Sequence, residues 1–334
     1  MDWFESLMGF VETEYALTQR QLSVDGEFLQ STVNGRRFRC GALELVSLAA
    51  LRERAATAPV GPPTRVQIVQ GEARALHRDP RNARALFQVA SQFNLLEMIG
   101  PARRPEDGVG CYSFDRTQGP ACAIAAGAAT IYRNYLVPID GHTGQTETRQ
   151  LNGLADVGAF LSRTLNRPVD SLWRMQNGYA LATADGLGAT DDWLRSTSPA
   201  EHDAVRSRLR IGVHRNVEVT DVPSGHGPLV SQAFCSALPV AYSDLPSAQW
   251  QRFARLVLEA AYEATLWEAV MQRQRRGPGR VLLTLLGGGA FGNREVWIVE
   301  AIERAVAAVA DRGLDVQIVC YGAPSTLVAG LARS

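Results

Sequence analysis

The sequence has no excess of charge of either sign. Its Lys+Arg and Asp+Glu totals are both 34, so the formal net charge at pH 7 is zero. A chain with balanced charge offers no general electrostatic attraction to nucleic acid or to an anionic membrane surface. We therefore expect neither a nucleic-acid partner nor a membrane partner.

Long apolar runs and a leader-like start are also missing. No stretch approaches the 18 or more consecutive apolar residues of a membrane-spanning helix. Residues 1–15 contain several acidic side chains and no basic stretch ahead of an apolar core, so we expect no secretory signal peptide. The five cysteines are odd in number and form no CxxC pair, which indicates buried, reduced thiols. These features predict a cytoplasmic protein. No metal or other cofactor is expected, because no His/Asp or Cys cluster has the spacing of a metal site.

Segments with strand and helix patterns alternate along most of the chain, which favours an α/β three-layer sandwich. The clearest strand patterns cover residues 65–70, 86–90, 209–214, 231–237, 280–286 and 316–322, and the clearest helical patterns cover 118–135, 155–164 and 249–273. Several of these strands end in glycine or small polar residues. Ligands of α/β proteins bind beside such strand ends.

A proline- and glycine-rich stretch, residues 58–63, divides the chain. Before it we predict an N-terminal extension, residues 1–60, made of a helix, a β-hairpin and a second helix. After it we predict one large domain, residues 64–334. The hairpin is indicated by Asn34-Gly35, a pair that favours a type I′ turn with two positive φ angles. The simplest interpretation of the extension is a structural cap.

The sequence from Arg280 onward predicts a buried strand, then the glycine loop Gly287-Gly288-Gly289-Ala290-Phe291-Gly292-Asn293, then an amphipathic helix. Such a loop presents backbone N–H groups at a helix N-terminus, where they favour a phosphate. It also fits the GxGxxG pattern of dinucleotide folds, which requires an acidic residue at the end of the next strand. That strand ends Cys320-Tyr321-Gly322, with no carboxylate, which argues against this alternative.

Polar and acidic residues cluster after the strand at residues 86–90. The next eight residues read Ser-Gln-Phe-Asn-Leu-Leu-Glu-Met, and a glycine-punctuated stretch with Asp107 and Asp115 follows. These side chains are either ligands at a strand end or the ordinary caps and surface acids of loops.

These blocks resemble the macrodomain superfamily. The sequence Leu285-Leu286-Gly287-Gly288-Gly289-Ala290-Phe291-Gly292-Asn293 is similar to the loop that wraps the diphosphate of ADP-ribose, and is most similar to the poly(ADP-ribose) glycohydrolase-like branch. Residues 90–98, 107–135 and 231–239 resemble the divergent MavL-type branch, which removes ADP-ribose from an arginine of ubiquitin. The resemblance covers residues 65–334 and implies a macrodomain with a mixed central sheet. The usual glycohydrolase GGG–QEE signature is replaced by SQFNLLEM, so whether poly(ADP-ribose) is cleaved stays open.

The resemblance also implies site residues. Asp107 and Asp115 are the expected catalytic acids, with Glu97 as a third, and their individual roles stay undivided. The ligand-binding residues implied for ADP-ribose are Gln92, Asn94, Thr117, Gln118, Gly288, Gly289, Ala290, Phe291, Gly292 and Asn293. Within this set Gly288–Asn293 hold the diphosphate, Phe291 packs on the ribose, and Gln92 and Asn94 bind the ribose or adenine.

We therefore predict an ADP-ribosyl hydrolase that acts on mono-ADP-ribosylated protein, with an arginine linkage favoured. Its partners are ADP-ribose and the modified carrier protein, arginine-modified or ubiquitin-like. A binding module that reads ADP-ribose without turnover is the first alternative. An NAD-dependent oxidoreductase is the second.

Overall fold

The computed structural model describes residues 2–223, 225–275 and 277–332. Residues 333 and 334, which close the predicted large domain, lie outside this range. The strands are β1 (Leu22–Asp25), β2 (Phe28–Ser31), β3 (Arg37–Arg39), β4 (Ala42–Ser47), β5 (Arg65–Gln70), β6 (Leu86–Ala90), β7 (Pro138–Ile139), β8 (His142–Thr143), β9 (Trp173–Gln176), β10 (Tyr179–Ala182), β11 (Arg210–Glu218), β12 (Leu229–Cys235), β13 (Arg280–Leu283) and β14 (Asp315–Cys320).

The helices are α1 (Trp3–Met8), α2 (Tyr15–Arg20), α3 (Leu48–Ala55), α4 (Ala73–Arg78), α5 (Gln118–Ala125), α6 (Gly127–Tyr135), α7 (Ala155–Leu165), α8 (Val169–Leu172), α9 (Ala184–Ser196), α10 (Pro199–Arg206), α11 (Ser247–Gln274), α12 (Glu295–Ala308) and α13 (Thr326–Ala329). Short 3₁₀ helices cover Pro80–Asn82, Pro105–Asp107, Gly110–Phe114 and Val240–Tyr242. Within the described ranges, no helix has both the length and the apolar character needed to cross a membrane.

Seven strands form one central sheet in the order β4-β11-β12-β6-β13-β14-β5. β11 is antiparallel to both β4 and β12, whereas every neighbouring pair from β12 to β5 is parallel. The predicted α/β fold with a mixed central sheet is therefore confirmed. The two antiparallel pairs at one side of the sheet make it a mixed sheet, whereas the sheet of the dinucleotide fold is mostly parallel.

Both faces of the sheet are covered by helices. Successive residues of a strand point to opposite faces, so neighbouring side chains of one strand join different cores. In β6, Leu86 joins the large core that includes α11 and α12, while Phe87 joins a smaller core with Ala126 and Ala129 beside α6. A third core packs α1 and the small N-terminal sheet against α6. Five parallel strands, β12, β6, β13, β14 and β5, thus end at one edge of the sheet.

The N-terminal segment differs from the predicted helix–hairpin–helix. Gly9, with φ 78°, ends α1, and residues 9–14 link it to α2, so the single helix predicted over residues 2–20 is two helices. The predicted β2–β3 hairpin is present and gains β1 as a third strand. β4, which the sequence did not predict, forms the edge of the central sheet. Residues 1–60 therefore contribute a strand to the large domain.

The type I′ turn predicted at Asn34-Gly35 is wrong. Gly35 has a positive φ of 70°, but Asn34 does not, because five residues rather than two join the strands. The turn chemistry occurs instead at Asn177-Gly178, with φ of 46° and 80°, which joins β9 to β10. Residues 165–206 carry none of the clear strand or helix patterns of the sequence, and they hold this hairpin and α8 to α10.

Replacement of Gly178 should test how tightly the β9–β10 turn packs on the loop after β6. A Cβ atom on Gly178 would lie 2.6 Å from Cγ of Asn94 and 2.7 Å from Cβ of Gln92. Gly141 has a similar φ of 78°, but its added Cβ would meet nothing within 4 Å. Both Ala variants share the left-handed backbone cost, so Gly178→Ala should lower the free energy of unfolding by about 1–3 kcal/mol more than Gly141→Ala. Equal losses in urea denaturation would contradict this packing.

Candidate functional site

A cavity of about 170 Å³ lies where β6, β12 and β13 end, at the carboxyl edge of the sheet. Five separate stretches of the chain form its walls. The lining residues are Ala90, Ser91, Gln92, Glu97, Met98, Ile99, Asp115, Thr117, Gln118, Gly119, Pro120, Tyr179, Ala237, Tyr242, Thr284, Leu285, Leu286, Gly287, Gly289, Ala290 and Phe291. Ligands of open α/β sheets bind at this edge, which makes the cavity the candidate site.

The glycine loop after β13 is held in shape by its two ends. Gly287 and Gly292 have φ of 74° and 70°, and a Cβ on either would collide with Ala237 or Ala241. Asn293 closes the loop: its backbone N–H donates to the Gly287 carbonyl at 2.9 Å, and its buried side-chain amide donates to the Leu238 carbonyl at 2.8 Å. Asn293 and Gly292 therefore shape the loop from outside the cavity lining.

The middle of the same loop has free hydrogen-bond donors. Among the contacts of the described residues, the backbone N–H groups of Gly289, Ala290 and Phe291 have no acceptor. All three residues line the cavity, and a Cβ on Gly289 would meet nothing within 4 Å. Three adjacent N–H groups without acceptors, in residues that line a cavity, are a backbone arrangement of the kind that can hold a phosphate. Gly288 is exposed but does not line the cavity.

Three aromatic rings form one wall of the cavity. The Tyr179 ring lies 5.2 Å from that of Tyr242 and 5.3 Å from that of Phe291, and the Tyr242–Phe291 distance is 5.6 Å. The Tyr179 hydroxyl donates to the Met98 carbonyl at 2.9 Å. This aromatic wall suits the flat faces of a base or a sugar. Phe291 was predicted from the sequence, whereas the two tyrosines were not. Asn177-Gly178, directly before Tyr179, was the local signal that could have found one of them.

Gln92 and Asn94 shape the loop after β6. The Gln92 side chain lines the cavity, but its carbonyl accepts from the Met98 N–H at 2.8 Å and its amide donates to the Met98 carbonyl at 3.2 Å. Asn94 is fully buried outside the lining, where it accepts from the Leu96 N–H and donates to Gln150. Both side chains therefore satisfy protein groups in this conformation, and neither presents a free donor to a ligand.

Thr117 and Gln118 line the cavity at the start of α5, beside the end of β6. Gln118 accepts from the Ala90 N–H at 3.0 Å and donates to the Gln88 carbonyl at 2.9 Å, so its amide acts as a bridge between α5 and β6. Gly119 allows the close approach, because an added Cβ would collide with the Ala90 carbonyl. The small residues of this helix thus bring its first turn to the cavity wall.

Glu97 reaches the cavity from a buried position, with 1% of its surface exposed. Its two carboxyl oxygens each lie 3.3 Å from Nη2 of Arg133, a side chain that is itself fully buried. Burial raises the pKa of Glu97 to about 7, although the Arg133 guanidinium opposes the rise. A carboxyl group with such a pKa can hold or release a proton near neutral pH, as a general acid or base must.

The two aspartates predicted as catalytic lie in different settings. Asp115 lines the cavity and is partly exposed, and its carboxylate accepts from the Thr117 N–H at 2.8 Å. Asp107 does not line the cavity. It accepts from the Arg104 N–H at 3.0 Å and lies 3.5 Å from the Arg104 guanidinium, in the turn that begins the 105–107 helix. Local capping and ion pairing thus account for Asp107.

The structure therefore brings together part of the predicted site. Eight of the predicted residues line the cavity, namely Gln92, Glu97, Asp115, Thr117, Gln118, Gly289, Ala290 and Phe291. Five do not, namely Asn94, Asp107, Gly288, Gly292 and Asn293. A search of the described residues finds no group of three or more His, Cys, Asp or Glu side chains arranged to hold a metal ion.

The fold and the site define an α/β protein with an anion-binding loop, an aromatic wall and two carboxyl groups around one cavity. No family model and no curated protein matches the sequence. Among solved structures, the chain is similar to poly(ADP-ribose) glycohydrolase from Thermomonospora curvata, with 15% identity, a TM-score of 0.47, and 94% of this chain and 93% of that chain covered. It is also similar to the Deinococcus radiodurans enzyme in complex with ADP-ribose, with 11% identity, a TM-score of 0.48, and 86% and 91% covered.

The raised pKa of Glu97 predicts how stability depends on pH. The folded carboxyl titrates near 7 and the unfolded one near 4.5. The folded state therefore binds the proton more tightly, and the stability gained in this way is present below about pH 4.5 and is lost as pH rises through about 7. Glu97→Gln cannot ionise, so its free energy of unfolding should fall less with rising pH than that of the wild type.

Urea denaturation between about pH 5 and pH 8 measures this difference. The control is Glu53→Gln, which changes an exposed carboxyl on α3 and should follow the wild-type pH dependence. Parallel curves for Glu97→Gln and the wild type would show that the Glu97 carboxyl is not perturbed.

Proposed function

We propose that this protein hydrolyses the bond between ADP-ribose and a mono-ADP-ribosylated carrier protein, with arginine as the favoured linkage. One observation carries the proposal: a single cavity joins three unpartnered backbone N–H groups, at Gly289–Phe291, to the carboxyl groups of Glu97 and Asp115. The N–H groups suit a diphosphate, and the carboxyl groups suit glycosidic chemistry. The resemblance of the glycine loop to the macrodomain diphosphate loop supports ADP-ribose as the ligand.

In the proposed binding mode, the diphosphate accepts hydrogen bonds from the N–H groups of Gly289, Ala290 and Phe291. The rings of Tyr179, Tyr242 and Phe291 pack against the ribose and base. The second ribose then extends toward the acids.

The proposed reaction needs a base for water and an acid for the leaving group. Asp115, which is partly exposed, accepts a proton from the attacking water. At the same time the water oxygen bonds to the anomeric carbon. The C–N bond breaks with its electron pair on the guanidine nitrogen, which takes a proton from Glu97. A carboxyl group whose pKa lies near 7 is protonated often enough at neutral pH for that role. The reaction consumes one water and returns an unmodified arginine.

An exposed aromatic residue supports a protein carrier. Phe114 precedes Asp115 directly and is 85% exposed, so an apolar side chain projects to solvent beside the cavity. Ile99, which lines the cavity, is 39% exposed. Such residues suit contact with a macromolecule more than with a small polar substrate. The MavL-type resemblance makes arginine-modified ubiquitin the first carrier to test.

Release of free ADP-ribose from an arginine-modified protein tests the proposal. The wild type should release ADP-ribose, and Asp115→Asn should slow release by about 100-fold or more, because general acid–base groups contribute factors of that size. Asp107→Asn is the matched control from the same loop and should keep most of the activity. Poly(ADP-ribose) offered in parallel distinguishes chain cleavage from removal of a single unit.

If the wild type binds ADP-ribose but releases none from the modified protein, hydrolysis is contradicted and the protein is a module that binds ADP-ribose without turnover. That second candidate has its own support, because the Glu97 carboxyl is paired with Arg133 in the interior. No binding of ADP-ribose at all would contradict both candidates.

A further inference from the structure

We propose that Glu12, in the N-terminal segment between α1 and α2, is a positioning residue for both acids of the cavity. This inference rests on the proposed function for the acids, but the contacts of Glu12 stand without it. The N-terminal segment thereby acts as part of the active site rather than as a cap on the fold. No residue of this segment lines the cavity.

Glu12 fixes the start of the 3₁₀ helix Gly110–Phe114. Its Oε1 accepts from the Val109 N–H at 2.8 Å and its Oε2 accepts from the Gly110 N–H at 2.6 Å. One carboxylate thus accepts from both N–H groups at the start of this helix. Glu12 lies 97 residues before Val109 and 98 residues before Gly110. Hydrogen bonds to a charged acceptor are stronger than neutral ones, so this contact orders the turn.

The Gly110–Phe114 helix forms hydrogen bonds with the backbones of both acids. At its end, the Asp115 N–H donates to the Tyr112 carbonyl at 3.2 Å, which sets where the Asp115 side chain begins. In its middle, the buried Tyr112 hydroxyl accepts from the Glu97 N–H at 3.1 Å. A shift of the Gly110–Phe114 helix would therefore move the Asp115 and Glu97 backbones together.

Glu12 is itself fixed to the large domain. The buried Tyr135 hydroxyl on α6 donates to Glu12 Oε1 at 2.7 Å. Gly108 leaves room for the carboxylate, because an added Cβ there would lie 2.5 Å from Cδ of Glu12. On the next helix, Gln19 donates to the Tyr135 carbonyl at 2.6 Å and anchors α2 without touching the turn. The carboxylate therefore has one fitted position between α6 and the turn.

Replacement of Glu12 should affect catalysis and leave diphosphate binding intact. Glu12→Gln keeps the shape of the side chain, but its NH₂ group replaces one of the two carboxylate oxygens. This group then faces the N–H of Val109 or Gly110, so one hydrogen bond is lost and two donors are placed against each other. Among the described residues, no hydrogen bond joins the glycine loop to the Gly110–Phe114 helix. Turnover (kcat) should fall more than tenfold, and the affinity for free ADP-ribose should change less than about threefold.

The control for a general loss of stability is Gln19→Ala. It removes an anchor of the same N-terminal segment and should lower the melting temperature without lowering kcat. Equal effects of Glu12→Gln and Gln19→Ala on kcat, at equal loss of stability, would overturn the proposal. If Glu12→Gln does not fold, Tyr112→Phe is measured instead. It removes the hydroxyl that accepts from Glu97 and should also lower kcat with ADP-ribose affinity kept, and unchanged kcat would overturn the proposal in the same way.

Amide hydrogen exchange separates this proposal from the proposed function. In Glu12→Gln the Val109, Gly110 and Glu97 amides should exchange faster than in the wild type, and in Gln19→Ala they should not. Unchanged exchange in Glu12→Gln would overturn the positioning role even if the wild type is an active hydrolase. If exchange is faster in Glu12→Gln but the wild type shows no hydrolase activity, the proposed function is contradicted, while the role of Glu12 in ordering the Gly110–Phe114 helix is supported.

Discussion

The Glu97–Arg133 pair joins the loop after β6 to α6 in the interior beside the cavity. Arg133 also donates through Nε to the Leu95 carbonyl at 3.0 Å, and its guanidinium carbon lies 3.8 Å from the Phe234 ring centre on β12. A buried pair costs desolvation that its attraction only partly repays. That cost appears here as a Glu97 pKa raised to about 7. The same burial that holds the loop in place thus brings the pKa of its carboxyl close to neutral pH.

Two parts of the cavity lining are built in different ways. The glycine loop is local: two glycines and Asn293 set the conformation of one short segment between β13 and α12. The two acids depend on contacts across the chain, from Arg133 to Glu97 and from Glu12 to the 3₁₀ helix before Asp115. Under the proposed function, a variant can therefore lose turnover while it keeps the ability to bind a diphosphate. Ligand binding and turnover test separate parts of the structure.

This difference explains how far the sequence could predict the structure. The glycine loop, the strands around it and the first turn of α5 could be predicted because their signals lie within a few neighbouring residues. Tyr242 and Glu12 could not, because their contacts are with partners far along the chain and their local patterns are those of ordinary loops. For Tyr179 the one local signal was the Asn177-Gly178 turn before it. At Asn34-Gly35 a local signal led to a wrong prediction. The dipeptide permits a tight turn, but the length of the loop between the paired strands decides whether one forms.

A crystal structure with ADP-ribose bound tests the central claim most directly. The account predicts diphosphate oxygens within hydrogen-bond distance of the Gly289, Ala290 and Phe291 N–H groups, with the anomeric carbon of the second ribose beside Glu97 and Asp115. ADP-ribose bound elsewhere, or in this cavity with its second ribose turned away from both carboxyl groups, would contradict it.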